Sequence, residues 1–374
     1  MHSKNTFVVM KFKISYVILF SIPLYFGQGT LTKNASIALS FNHGFVIPEY
    51  TNITYSVNKP IASIQATWLK RTTGKQLVEQ LYRFPEYGIS ASYTSLGNKD
   101  VFGNEVALYP FFRTFFVRSN RSAFYHQFGF GLGYASKKFD LTSNPDNISV
   151  GSHLNMHFDY QLGYRYSVSN SWGLEASLRF AHFSNANMAE PNLGLNLVYA
   201  NLGVLRRIGE QEPIQRSTIP SVVHSHEFAF IYAAGGKHTR ALQSKVYFTS
   251  SISLEYKYHA YHKFHFGAGV DLFYDSSVET ELSILPNSIY QPIDNFSSGV
   301  HISQEIVFDR FSFILQEGLQ LGLKDKVHTL PMYNRAILRW KVNESFLIHI
   351  SMKSHLHILD YPELGFGYYL KSKA

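Results

Sequence analysis

Cysteine is missing from all 374 residues, which excludes disulfide frameworks, thiolate metal sites and cysteine nucleophiles together. Charge is scarce too. Asp, Glu, Lys and Arg make up 16% of the chain, where an ordinary soluble domain has about a quarter. A disordered chain would be charge-rich and poor in rings, so disorder is excluded. The Glu, Lys, Ala and Leu excess of a coiled coil is absent as well. No basic run accompanies the net charge of +8, because Lys and Arg are scattered along the chain. A nucleic-acid partner is therefore not expected, whereas dispersed positive charge suits an anionic membrane surface. Past the N-terminus no stretch reaches the ~18 uncharged apolar residues of a membrane helix.

Aromatic rings are what the chain has in quantity: 31 Phe and 25 Tyr. The N-terminus is laid out as an export signal. Met10-Lys11-Phe12-Lys13 is a basic start, Ile14 to Phe26 is almost wholly apolar, and Gly27-Gln28-Gly29 is small and polar. We expect a signal peptide over residues 1–28, with Met1 to Val9 as an upstream extension.

From residue 35 onward the dominant period is two. In 154–168 one face reads Leu154, Met156, Phe158, Tyr160, Leu162, Tyr164, Tyr166. The other reads Asn155, His157, Asp159, Gln161, Arg165. A soluble antiparallel sandwich shows the same alternation, but its strands are usually about 3–10 residues long. The segments here run to about 10–14 residues, and one face is continuously apolar. An outer-membrane barrel needs that pattern, apolar outside and polar inside. Closure satisfies every backbone group, as hydrocarbon demands.

The fold class read from this pattern is all-β, a transmembrane antiparallel barrel of about sixteen strands. Its spans are 36–46, 60–70, 86–94, 103–117, 122–136, 151–168, 171–185, 193–207, 225–236, 245–259, 262–275, 297–308, 310–322, 331–342, 344–358 and 362–371. Short turns follow even-numbered strands and longer loops mostly follow odd-numbered ones. The connections 71–85 and 208–224 break that rule. A faint duplication links His182-Phe183-Ser184 and Pro191-Asn192-Leu193-Gly194 to His355-Leu356-His357 and Pro362-Glu363-Leu364-Gly365. It divides the chain into a repeat over 36–207, a linker at 208–224 and a second repeat over 225–372. The two merge into one barrel or close as two.

The sharpest chemical signal is in 171–185. Its apolar face runs Trp172, Leu174, Ala176, Leu178, Phe180 and then turns polar at His182 and Ser184. The plain alternative is a strand that has reached the headgroup zone. The chemical reading is a hydroxyl beside its general base, since residues two apart share a strand face. A lipid-facing pair implies a substrate within the membrane.

The segment His182-Phe183-Ser184-Asn185-Ala186 followed by Pro191-Asn192-Leu193-Gly194-Leu195-Asn196 resembles the PagL-type lipid A 3-O-deacylases. The motif covers about fifteen residues, and a looser likeness extends over roughly 36–207. The resemblance implies an eight-strand outer-membrane barrel whose outer wall carries a serine esterase acting on lipid A. It implies Ser184 as nucleophile, His182 as base and Asn185 as a contributor to the oxyanion hole. Where the family pattern has a Glu as third member, this chain has Asn196. An amide can orient imidazole but cannot offset its positive charge fully. Glu190, in the same loop, is the candidate substitute.

Expected partners are lipid A or lipopolysaccharide and outer-membrane lipids, in the outer membrane of a Gram-negative cell. No cofactor and no metal are expected. The 17 His include no helical His-x-x-x-His pair. His355 and His357 are read as interior hydrogen-bonding groups, and Asp271 with Asp275 as a calcium candidate. Glu175, Arg179, Asp159 and Arg165 read as a charge network in the lumen. The competing function is a non-catalytic pore or structural barrel that keeps the motif, which the amide at Asn196 favours. A phospholipid esterase is a third.

Overall fold

The computed structural model describes residues 32–49, 51–239, 245–356 and 358–371. The expected export signal and His357 lie outside them.

Among the described residues sixteen strands form. The first eight are β1 (Ala35–Ile47), β2 (Ile61–Arg71), β3 (Glu86–Ser95), β4 (Asn104–Arg118), β5 (Ser122–Ala135), β6 (Leu154–Ser167), β7 (Trp172–Ser184) and β8 (Leu195–Ile208). The second eight are β9 (His226–Lys237), β10 (Tyr247–Tyr258), β11 (Phe264–Asp275), β12 (Phe296–Phe308), β13 (Phe311–Gln320), β14 (Met332–Lys341), β15 (Phe346–His355) and β16 (Ile358–Lys371). Each matches one expected strand, with ends that differ by up to a few residues. All neighbours pair antiparallel, and the sheet closes twice: β8 returns to β1, and β16 returns to β9. The described residues therefore form two eight-stranded barrels.

Alternation places side chains as the period predicts. On β7, Gly173, Glu175, Ser177, Arg179, Ala181 and Phe183 are buried, while Leu174 and Leu178 are exposed on the outer wall. A barrel of about eight strands leaves just enough interior for side chains to fill. Here the filling is ionic. In the first barrel Arg165 bridges Glu86 and Glu175, each at 2.7 Å, and Arg113 reaches Glu175 at 2.7 Å. Arg179 pairs with Asp159 and donates to the Tyr109 hydroxyl. In the second barrel Arg339 holds Glu255 at 2.9 Å and Lys257 holds Glu305 at 2.7 Å.

The two exceptional connections brace the barrels. A short helix α1 (Thr51–Ser56) follows β1, and the β2–β3 connection carries α2 (Leu77–Leu81) and meets the linker. Gln80 donates to the Gln215 carbonyl at 2.7 Å, and Lys33 and Lys75 pair with Glu212 at 2.8 and 3.1 Å. Just beyond α2, Tyr82 donates to the Val307 carbonyl at 2.7 Å and stacks on Phe308 with ring centroids 4.6 Å apart. Burial pushes the Tyr82 phenol up, so it stays a neutral donor.

Candidate active site

Register brings the polar pair together with its third member. β6, β7 and β8 run side by side, and His182 on β7 stands directly opposite Asn196 on β8. Asn196 lies on the outward face with Val198 and Ala200, because Leu195, Leu197 and Tyr199 fill the interior. His182 Nδ1 donates to Asn196 Oδ1 at 2.7 Å. Its Nε2 is then the acceptor for the Ser184 hydroxyl, 3.2 Å away. Both ring nitrogens are engaged, and all three groups are half-buried on the outer wall.

A carboxylate completes the row. Asn196 Nδ2 donates to Glu49 Oε2 at 3.3 Å. Glu49 lies two residues past β1, where closure aligns Ile47 with Asn196. Sequence reasoning missed it because the two are far apart in the chain and only the β1–β8 pairing joins them. Glu190, the expected substitute acid, lines the cavity in front of the pair.

The loop after β7 is held by Asn185. Its amide Nδ2 donates to the Ala189 carbonyl at 2.8 Å, and its Oδ1 accepts from Met188 N–H at 3.0 Å. Its own backbone N–H donates to Asn192 Oδ1 at 2.9 Å. Asn185, the expected oxyanion donor, thus also builds the loop, through its backbone N–H and one of its two amide hydrogens. The next two residues, Ala186 and Asn187, adopt left-handed φ of 55° and 63°. Gly194 closes the loop at φ 71°, and a Cβ there would lie 2.8 Å from His182 Cε1.

The cavity holding His182 and Ser184 has a volume of about 260 Å³ and lies between the barrels. Its far wall comes from the second barrel: Glu281, His328, Leu359 and Asp360. Asn187 bridges the seam by donating to the Asp360 carbonyl at 3.1 Å.

Among the described residues, one group approaches a metal-ligand arrangement. Asp325, His328 and His355 place one ligand atom each within 4.8 Å of one another. The Lys353 ammonium lies 3.0 Å from His355 Nε2 and occupies the lone pair an ion would need. His328 Nδ1 is bonded to Asp325 at 2.8 Å, so the group is built as a hydrogen-bonded cluster. The calcium candidates are separated by their partners. Asp271 is bound to Arg335, His301 and Tyr333, and Asp275 to Lys237 at 2.7 Å.

Two family models match, one per barrel: lipid A 3-O-deacylase (PagL) over residues 62–204, and acyloxyacyl hydrolase, C-terminal domain, over residues 226–372. The first barrel is thus similar to the lipid A 3-O-deacylases and the second to the C-terminal domain of acyloxyacyl hydrolases. No curated protein sequence matches it. Among solved structures, the outer-membrane enzyme PagL is similar at 16% identity, covering 44% of this chain and 97% of its own, with a TM-score of 0.34. OccAB4 of Acinetobacter baumannii is 10% identical over 91% of this chain and 99% of its own, with a TM-score of 0.25. A mutant Rh. blastica porin is 8% identical over 90% and 99%, with a TM-score of 0.17.

Proposed function

We propose that this protein is an outer-membrane serine esterase that removes an ester-linked acyl chain from lipid A. The observation that carries the reading is the continuous row Ser184–His182–Asn196–Glu49 on the outer wall of the first barrel. His182 takes the Ser184 proton through Nε2 as the hydroxyl oxygen attacks the ester carbonyl. The tetrahedral intermediate collapses, the sugar hydroxyl leaves with the proton from His182, and an acyl-enzyme remains. Water activated by the same imidazole then releases the fatty acid.

Asn196 holds the tautomer that leaves Nε2 bare. Glu49 fixes the amide so that its oxygen, not its nitrogen, faces His182, and adds negative charge behind the developing imidazolium. Asn185, at the start of the tight turn after the nucleophile, is the residue this reading assigns to the oxyanion hole.

The pore reading loses support from barrel size. Two barrels of eight strands have side-chain-filled lumens, lined by buried Arg179, Tyr109, Arg335 and Tyr333. The test is mass spectrometry of lipid A from cells making the parent or Ser184→Ala. The parent should convert lipid A to a species lacking one acyl chain, and Ser184→Ala should leave it intact. Equal conversion by both would remove Ser184 from the mechanism.

A further inference from the structure

The outer walls of the two barrels are largely apolar, and among the described residues one acid stands out on them. Glu317 on β13 points outward and is exposed, whereas every other Asp or Glu within the sixteen strands points inward. It lies between Leu315 and Leu319 on its own strand and opposite Ile302 on β12, all three exposed. It makes no hydrogen bond or ion pair with any described residue, its diagonal neighbour Gln304 on β12 included. A carboxylate left alone on a lipid-facing wall lowers stability.

Two polar groups continue its row. Glu317 is the register partner of Asn334 on β14, and Asn334 is the register partner of Ser354 on β15. Both point outward and are half-buried. Their donors are engaged: Asn334 Nδ2 donates to the Leu356 carbonyl at 3.1 Å, and the Ser354 hydroxyl to the Asn334 carbonyl at 3.5 Å. Left over in the row are acceptors, the Glu317 carboxylate and Asn334 Oδ1, which is buried without a hydrogen-bond partner. The row leads to the cavity that holds Ser184, because Ser354 pairs with Leu359, which lines it. Glu317 lies three residues before β13 ends at Gln320, about 10 Å along the strand. The loop beyond that end supplies Val327 and His328 to the same cavity.

Free acceptors on a lipid-facing wall fit a lipid that brings N–H and O–H donors. Ester carbonyls and phosphates bring none. An ammonium head belongs with the headgroups at the rim, whereas the amide and hydroxyl groups that join acyl chains to a head lie beneath it, where Glu317 is. We propose that Glu317 and Asn334 form a binding site on the outer wall of the second barrel for the amide-linked, hydroxylated acyl chains of a lipid whose head occupies the cavity beside Ser184. The site rests on the esterase reading for the position of that head. It deepens the reading by giving the second barrel a part in holding the substrate and by naming the chains it holds.

The test is lipid binding to full-length Ser184→Ala protein in detergent micelles, read by native mass spectrometry with four probes of matched chain length. Ceramide carries an amide N–H and hydroxyls, and diacylglycerol has esters in place of the amide. Phosphatidylethanolamine carries an ammonium, and phosphatidylcholine has the same phosphate without an N–H. Ceramide should bind at least about fivefold more tightly than diacylglycerol. Glu317→Leu in the same background should cut that preference to about twofold or less. The two phospholipids should bind alike. Because Leu suits a lipid-facing wall, Glu317→Leu should fold and should unfold at an equal or higher urea midpoint. Misfolding or a lower midpoint would make the carboxylate a structural group and overturn the site. Absence of the ceramide preference, or its survival in Glu317→Leu, overturns it too. So does a Glu317-dependent preference for ethanolamine over choline, which would make the ligand an ammonium head. If the ceramide preference depends on Glu317 but the parent protein releases no fatty acid from lipid A, the esterase reading fails and the site stands.

Discussion

His182 and Asn196 are register partners on adjacent strands, and the 2.7 Å bond from Nδ1 to Oδ1 fills the place where a carboxylate would ordinarily sit. Behind the amide stands a carboxylate, Glu49, which accepts from Asn196 Nδ2 at 3.3 Å. Removing the amide should let the imidazole turn. Asn196→Ala is expected to lower kcat for deacylation by about 10²-fold or more, with a smaller change in KM. Asn196→Asp alone should not exceed the parent, because the new carboxylate faces Glu49 where an N–H had donated. Pairing it with Glu49→Gln removes that repulsion, and the double variant should recover activity over the single one. A double variant no better than Asn196→Asp would take Glu49 out of the row.

Gly194 is required by space as well as by backbone. It sits at φ 71°, and an added Cβ would come 2.8 Å from His182 Cε1 and 3.2 Å from the Phe183 carbonyl. Gly194→Ala should push the imidazole off Ser184. We expect the barrel to fold, as judged by the heat-dependent gel shift of the intact chain, and kcat to fall by about tenfold or more. Parent-like kcat would show that the loop yields instead of the ring.

The strands and the His182–Ser184 pair were legible because both follow from a period of two. An outward hydroxyl beside an outward imidazole needs only a strand face. Closure was not legible in the same way. Nothing local in Asn196 or Ile47 announces that β8 pairs with β1, and so neither the two-barrel outcome nor Glu49 followed from the pattern. The part Asn185 plays in shaping the turn after β7 was not legible, because side-chain-to-backbone bonds leave no periodic trace. The 71–85 and 208–224 connections looked like exceptions because loop length reports only one barrel at a time. In the structure they are where the first barrel meets the linker and, through Tyr82, the second barrel.

Arg165 lies in the first lumen between Glu86 and Glu175. Replacing it with Met leaves two buried carboxylates without their main partner, although Arg113 still reaches both. Removing one member of a buried ionic group costs on the order of 3–5 kcal/mol. Arg165→Met should therefore lower the urea midpoint of unfolding markedly, while any protein that remains folded keeps its kcat. The residue is far from the outer wall, so a specific loss of kcat in folded protein would contradict the filled-lumen account.

The linker's hold on the first barrel is ionic and should respond to acid. Hydrogen bonds from Lys33, then Lys75 and Asn34, lower the Glu212 carboxyl to about 2. A carboxyl depressed below its ordinary value of 4.5 contributes stability that is complete above that value and is lost as pH falls toward about 2. Glu212 is only partly buried and its lysine partners are exposed, so the contribution is modest and screened by salt. Amide hydrogen exchange at Glu212 and Gln215, corrected for intrinsic rates, should show constant protection from pH 7 to 5 and falling protection between about 4 and 2. Glu212→Gln should remove that acid step while leaving the Tyr82–Phe308 contact in place. If protection in the parent falls instead between pH 7 and 5, a histidine and not Glu212 governs the docking.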